Sequence, residues 1–224
     1  MDKWLKLQQQ MNIRFHNASL LREAFTHSSY TNEHKSSTHN ERIEFLGDAI
    51  LQLAVAQYLY RTYPQWSEGK LTFIRSAIVR EQALCQLAQK LSLGEYMILG
   101  KGEASTGGRE RPSLLANVFE ALVGAIYLDS GWDSTIAFLN IHMFPEIEHY
   151  IARGVIDAKS KLHEKIQQSG NQTIEYIVSD ISGPANVRDF NIQVFIDGVP
   201  YGTGQGRSKK EAEQKAAAEA LARL

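Results

Sequence analysis

The run Leu114-Leu115-Ala116-Asn117-Val118-Phe119-Glu120-Ala121-Leu122-Val123-Gly124-Ala125-Ile126-Tyr127-Leu128 holds only Asn117 and Glu120 as polar positions before Asp129. A helix that is apolar on nearly every side belongs inside a core, so this run is the centre around which its neighbours must pack. An ionised Glu there is costly unless a cation or another partner compensates it. Upstream, Asn40-Glu41-Arg42-Ile43-Glu44-Phe45-Leu46-Gly47-Asp48-Ala49-Ile50-Leu51 puts Glu41, Glu44 and Asp48 at i, i+3 and i+7, on one helical face. Carboxylates so spaced, about 5–6 Å apart, repel by about 3 kcal/mol per pair at an effective dielectric near 20. Two such acid-bearing helices facing each other would want a hard divalent cation between them, held by oxygen ligands only.

Each of these residues also has a plainer explanation. Glu41 completes a capping box if Thr38 is the N-cap. Glu44 and Asp48 read equally as exposed helix charges near Arg42, and Phe45 as ordinary core. His27 reads as a hydrogen-bonded structural histidine, and no chemistry is assigned to it. Glu120 is the hardest to explain away, since no cation lies within a turn of it in the sequence.

With 224 residues, 43% hydrophobic and 22% charged, the chain has the composition of ordinary globular proteins and the length of one large or two modest domains. Its net charge of −1 provides no overall basic field, so a polyanion would need locally concentrated cations. The lone Cys85 excludes an internal disulfide and a cysteine-based metal site; it reads as a small core residue. No signal-peptide pattern is expected at the start, and no stretch is expected to be long enough to cross a bilayer. The expectation is a cytoplasmic protein without a membrane partner.

Residues 1–150 read as nearly all helix, with a polar loop before Asn40, Pro64 closing the first acidic unit, and one long amphipathic helix over 69–91. A glycine-rich polar stretch fills 94–111, Pro112 opens the apolar helix, and a short helix follows Gly131. Residues 151–156 read as a linker. Beyond it, 157–224 changes to an α-β-β-β-α pattern: Phe190, Ile192, Val194 and Ile196 alternate with polar residues, a period-two strand. Asp197-Gly198 signals a hairpin, and Ser208-Lys209-Lys210-Glu211 fits a capping box. No internal repeat or low-complexity segment interrupts the chain.

Gly202, Gly204 and Gly206 are followed at once by Arg207, Lys209 and Lys210, with Lys215 further on. Cations oppose the helix dipole at this end, while open backbone N–H groups there can receive phosphate; a merely solvated helix start is the alternative. The module as a whole resembles the double-stranded-RNA-binding domain. The matching residues are Asp157-Ala158-Lys159-Ser160-Lys161-Leu162, Gly183-Pro184-Ala185, Gly202-Thr203-Gly204 and Ser208-Lys209-Lys210-Glu211-Ala212-Glu213-Gln214-Lys215-Ala216-Ala217. The resemblance implies that His163, Glu164 and Gln167 enter one RNA minor groove, and the loop of Gly183, Pro184, Ala185 and Asn186 the next. Lys209, Lys210 and Lys215 would meet the intervening phosphates. Such domains read A-form shape over roughly 16 base pairs. Asn186 stands where the family usually carries His, which implies weakened but retained binding.

The stretch Asn40–Leu51 resembles the ribonuclease III signature, with Thr26-His27-Ser28-Ser29-Tyr30 before it and Leu115-Ala116-Asn117-Val118-Phe119-Glu120-Ala121 after it matching further motifs of that family. Together the two resemblances cover essentially the whole chain. They imply an all-α endonuclease domain followed by a small α+β RNA-binding domain. Glu44, Asp48, Asn117 and Glu120 would be metal ligands. Asp48 and Glu120, with Glu41 and Glu68 lining the site, would form the catalytic set. Mg²⁺ is the implied cofactor, with Mn²⁺ as a substitute, in a two-metal hydrolysis of double-stranded RNA. Products would carry 5′-phosphate and 3′-hydroxyl ends. Cutting both strands implies a homodimer, which Phe45 would plug. Asn117 departs from the family, which has Asp there: an amide oxygen can coordinate, but it brings no negative charge, so impaired cleavage is implied. A binder that does not cut is the second reading; a phosphohydrolase for small nucleotides would leave the RNA-binding module unexplained.

Overall fold

The structure is a computed structural model that describes residues 3–35, 38–152, 158–169, 172–182 and 189–224. It divides into two compact units, Met1–Ile147 and Glu148–Leu224.

The first unit is helical among its described residues: α1 (Lys3–Gln10), α2 (Ala18–Ala24), α3 (Ser28–Glu33), α4 (Glu41–Thr62), α5 (Glu68–Ile78), α6 (Glu81–Lys90), α7 (Lys101–Ser105) and α8 (Pro112–His142), with α9 (Phe144–Ala152) following. The apolar run forms the first half of α8. Leu115, Val118, Phe119, Leu122, Val123 and Ile126 are all buried, and α4 and α6 pack along it. Pro at the first turn starts α8 without losing a hydrogen bond. Gly131, with φ at 77°, bends it, and the short helix expected after Gly131 is the segment beyond the bend.

Two expectations need correction. Residues 69–91 form two helices, because the chain turns at Val79 and Arg80. Arg80 is extended (φ −70°, ψ 153°), and its carbonyl accepts from Ala83 N–H and Leu84 N–H to start α6. Ile74, Ile78, Cys85 and Ala88 keep a helical period across the break, so periodicity alone could not mark it. The second concerns membranes: α8, at 31 residues, is long and apolar enough to span one. Most of its apolar side chains are instead packed inside the helical unit, which accounts for the composition.

The polar stretch after α6 is ordered by its own side chains. Arg109 Nη1 donates to the carbonyls of Gly94 at 2.9 Å and Met97 at 2.7 Å, and Arg111 pairs with Glu103 at 2.6 Å. Asp129, near the bend of α8, accepts from the backbone N–H of His16 (3.0 Å) and Asn17 (2.7 Å) and from the Ser130 hydroxyl (2.7 Å). It thereby ties α8 to the residues that open α2.

The second unit contains α10 (Ala158–Ser169), β1 (Ile174–Ser182), β2 (Asp189–Ile196), β3 (Val199–Gly206) and α11 (Lys209–Arg223). The strands form an antiparallel sheet in the order β1-β2-β3, and Asp197-Gly198, both at positive φ, make the hairpin turn between β2 and β3. The alternation seen in the sequence buries Ile192, Val194 and Ile196 against Leu162, Ile166, Ala212, Ala216 and Ala220. A Cβ on Gly202, Gly204 or Gly206 would strike the backbone of α11. These glycines let helix and strand touch main chain to main chain, a packing role that their position before the basic cluster did not reveal. The capping box forms with one shift: Ser208 Oγ accepts from Glu211 N–H, but Glu211 reaches back to Arg207 N–H, at 3.0 Å.

Candidate active site

Helices α4 and α8 cross at two glycines. A Cβ at Gly47 would fall on the Glu120 carbonyl, and one at Gly124 on the carbonyl of Ile43. Gly47 lies three residues beyond Glu44, and Gly124 four beyond Glu120, so this contact brings the acidic turns of the two helices alongside each other. Local spacing gives neither glycine a role; their only signal in the sequence is an offset of about one helical turn from each acid.

At the crossing Glu44, Asn117 and Glu120 are half-buried, while Glu41 and Asp48 are exposed. The charges repel. Burial, then the charges of Asp48 and Glu44, push the Glu120 carboxyl up to about 7. Glu44 is raised by burial and by Glu41, an effect that a hydrogen bond from the Asn117 side chain partly offsets. That bond lowers the pKa of Glu44, so the amide NH₂ donates to its carboxylate. The structure therefore gathers Glu44, Asp48, Asn117 and Glu120, with Glu41 beside Glu44. Among the described residues no group of three or more His, Cys, Asp or Glu side chains is disposed as it stands to hold a metal ion.

Glu68 lines a different concavity. It opens α5, accepts from the Thr72 hydroxyl at 2.8 Å, and borders a groove with Leu53, Ala56, Tyr60 and Arg75. Phe45 is 80% exposed rather than core, as are Leu53 at 59% and Tyr60 at 73% on the same side of α4. Asn40, not Thr38, is the N-cap of α4, so Glu41 belongs to no capping box with Thr38. His27 is the N-cap of α3, accepting from Ser29 N–H through Nδ1.

In the second unit His163 and Gln167, one turn apart on α10, are exposed, whereas Leu162 and Ile166 are buried. The Glu164 side chain and the loop of Gly183, Pro184, Ala185 and Asn186 lie outside the described residues, as does most of the expected linker. Lys209 and Lys210 are exposed in the first turn of α11, and Lys215 is paired with Glu211 at 2.8 Å.

Residues 17–147 match the family model described as Ribonuclease-III-like, and residues 158–224 match that of the double-stranded RNA binding motif. The chain belongs to the ribonuclease III family. It is similar to Ribonuclease 3 of Bacillus licheniformis, 50% identical over 225 residues that cover 100% of this chain and 90% of that one. Ribonuclease 3 of Bacillus cytotoxicus is 53% identical over 219 residues, 97% of this chain and 89% of that one. The crystal structure of the ribonuclease III nuclease domain from Campylobacter jejuni superposes with a TM-score of 0.60 at 36% identity, covering 65% of this chain and 97% of that one. A second structure of that domain (TM-score 0.58, 37% identity, 62% and 94% coverage) is described for flexibility in a region involved in its dimer formation. By family, then, the chain is an endoribonuclease with an attached double-stranded-RNA-binding domain.

Proposed function

We propose that the chain hydrolyses double-stranded RNA at the crossing of α4 and α8, with Mg²⁺ held by Glu44, Asp48, Asn117 and Glu120. The observation that carries this reading is the main-chain contact at Gly47 and Gly124, which gathers these oxygen donors on two facing helices. The donor set fits a hard dication: it is all oxygen, and burial, with like-charge proximity second, already raises Glu44 and Glu120. Mg²⁺ suits a site of few carboxylates because it keeps several waters, with Mn²⁺ as its substitute. Two bound ions would supply an activated water and neutralise charge on the phosphodiester and its leaving oxygen.

The protein's own part is to hold and orient. Asp48 and Glu120 flank the crossing from opposite helices. Glu41, exposed one turn before Glu44, can receive hydrogen bonds from water or from the RNA, and Glu68 adds a carboxylate at the neighbouring groove. In the reaction water adds to phosphorus and the P–O3′ bond breaks, leaving 5′-phosphate and 3′-hydroxyl ends. The second unit supplies grip through His163, Glu164, Gln167, the loop of residues 183–186, Lys209, Lys210 and Lys215. Processing of ribosomal and messenger RNA in the cytoplasm is the role that this reading implies.

Cutting both strands requires two sites, hence a homodimer. The exposed stripe of Phe45, Leu53 and Tyr60 on α4 supports a second copy as its cover. Phe45→Glu should convert dimer to monomer in sedimentation, since it would bury an unpaired charge; a wild-type chain already monomeric at micromolar concentration removes the dimer.

The hydrogen bond from Asn117 to Glu44 favours a second reading, a duplex binder that does not cut, because the amide adds no negative charge and relieves that of Glu44. Cleavage of long duplex RNA under Mg²⁺ separates the two. Asn117→Asp should raise the rate about a hundred- to a thousandfold, with duplex affinity in chelator unchanged, and adding Glu120→Gln should abolish the gain. A rate unmoved by either substitution would leave the binding-only reading.

A further inference from the structure

Lys159 belongs to the motif that opens the RNA-binding module, yet the function above gives it no task. Its backbone N–H faces Gln214 Oε1 of α11 at 3.3 Å, and its Nζ lies 2.7 Å from Glu213 Oε2. The same Nζ sits 4.2 Å from the centre of the Tyr176 ring on β1. Both charged side chains are largely covered, at 30% and 26% exposure. This cation is therefore neutralised and shielded inside the unit, whereas Lys209 and Lys210 lie at the exposed start of α11.

We infer that Lys159 is a positioning residue for duplex form: its clasp on Glu213 and Tyr176 sets the spacing between α10 and α11, so that the unit selects A-form RNA over B-form DNA. The inference rests on the duplex-RNA reading above. His163 and Gln167 on α10 and Lys209 and Lys210 on α11 are to meet different parts of one duplex, a groove and the phosphates beside it. Groove width and phosphate spacing differ between the A and B forms, so the interval between the two helices is what shape selection must measure. On one side α11 is fixed by main-chain contact with β3 at Gly202, Gly204 and Gly206. The clasp fixes the other side, where the head of α10 meets the second turn of α11. A half-buried ion pair that also stacks on an aromatic ring holds direction as well as distance.

The test is equilibrium binding of the full chain, in chelator so that nothing is cut, to an RNA duplex of at least about 16 base pairs and to DNA of the same sequence. Lys159→Met should weaken RNA binding about five- to tenfold, through removal of one half-buried pair and one cation–π interaction, and leave DNA binding nearly unchanged. The salt dependence of RNA binding should keep its slope, because every phosphate contact remains. Lys159→Arg should preserve the RNA-to-DNA ratio. Glu213→Gln decides most sharply, since it keeps the shape of the helix. Positioning requires weaker RNA binding and a smaller ratio, whereas simple charge removal would tighten binding to any polyanion. Tighter RNA binding by Glu213→Gln, a shallower salt slope for Lys159→Met, or equal losses on RNA and DNA would overturn the inference. A wild-type chain that does not distinguish RNA from DNA would overturn the duplex-RNA reading beneath it.

Discussion

In the helical unit Glu44 and Glu120 stand above the ordinary carboxylate range, raised first by burial, then by Glu41 for the one and by Asp48 and Glu44 for the other. In the second unit Asp197, Glu211 and Glu219 stand below it. Hydrogen bonds hold them there: from Thr173 N–H to Asp197, from Lys215 to Glu211 and from Thr203 N–H to Glu219. Both units use glycine to bring backbones together, but to different ends. At Gly47 and Gly124 the close approach gathers like charges, a local cost that makes sense where a cation is to be received. At Gly202, Gly204 and Gly206 it only packs a helix on a strand, and the acids nearby already have their partners. In this chain the carboxylates lowered by hydrogen bonds are those with structural partners, and the two raised by burial and like charge are those gathered at the crossing.

The comparison breaks most visibly if the glycines are replaced. Gly47→Val should destabilise the helical unit by about 1–3 kcal/mol or more, as overpacking does, and spread the acids. Gly204→Val should cost the second unit a similar amount and leave the first intact. Two-probe thermal melting, one signal from each unit, checks this; coupled losses from Gly204→Val would blur the distinction.

Asp129 sharpens it, being a scaffold acid inside the unit that carries the site. Burial alone would raise it, but hydrogen bonds from the His16 and Asn17 backbone, the Ser130 hydroxyl and the His16 ring hold it down to about 2. Its stabilisation is thus complete above the unfolded value of about 3.9 and disappears as pH falls through about 2. Asp129→Asn should lower the melting temperature at neutral pH and flatten the acid limb of a melting-temperature profile. An acid limb as steep as wild type would contradict this.

The smallest effect is expected at the exposed cations. Lys209→Ala with Lys210→Ala should make the log affinity for duplex RNA less salt-dependent, by about one in slope for each phosphate no longer engaged. Melting should not move.

Much of this arrangement is legible in the sequence. The period-two strand ending at Ile196, the Asp197-Gly198 turn, the buried run through Phe119 and the acidic face of α4 all follow from local spacing. What escaped was set by residues distant in sequence. A glycine inside a helical period reads like any small residue until the partner helix is known to touch it, as with Gly47 and Gly124. Asp129 finds its donors at His16 and Asn17, at a separation of more than a hundred residues. The break at Arg80 hid because the apolar period runs through it. The hydrogen bond from Asn117 to Glu44 needed the crossing of α4 and α8 to exist first.

That crossing also gives the acidic cluster a gauge. Because α4 meets α8 through main-chain atoms at Gly47 and Gly124, the two backbones that carry the carboxylates are held at contact distance, and side-chain rotamers move the acids only from those fixed anchors. Substitutions elsewhere in the core can loosen the unit or shift its melting point while the rows keep their interval. Residues away from the crossing thus alter stability alone, whereas a change at Gly47 or Gly124 alters stability and site dimension together.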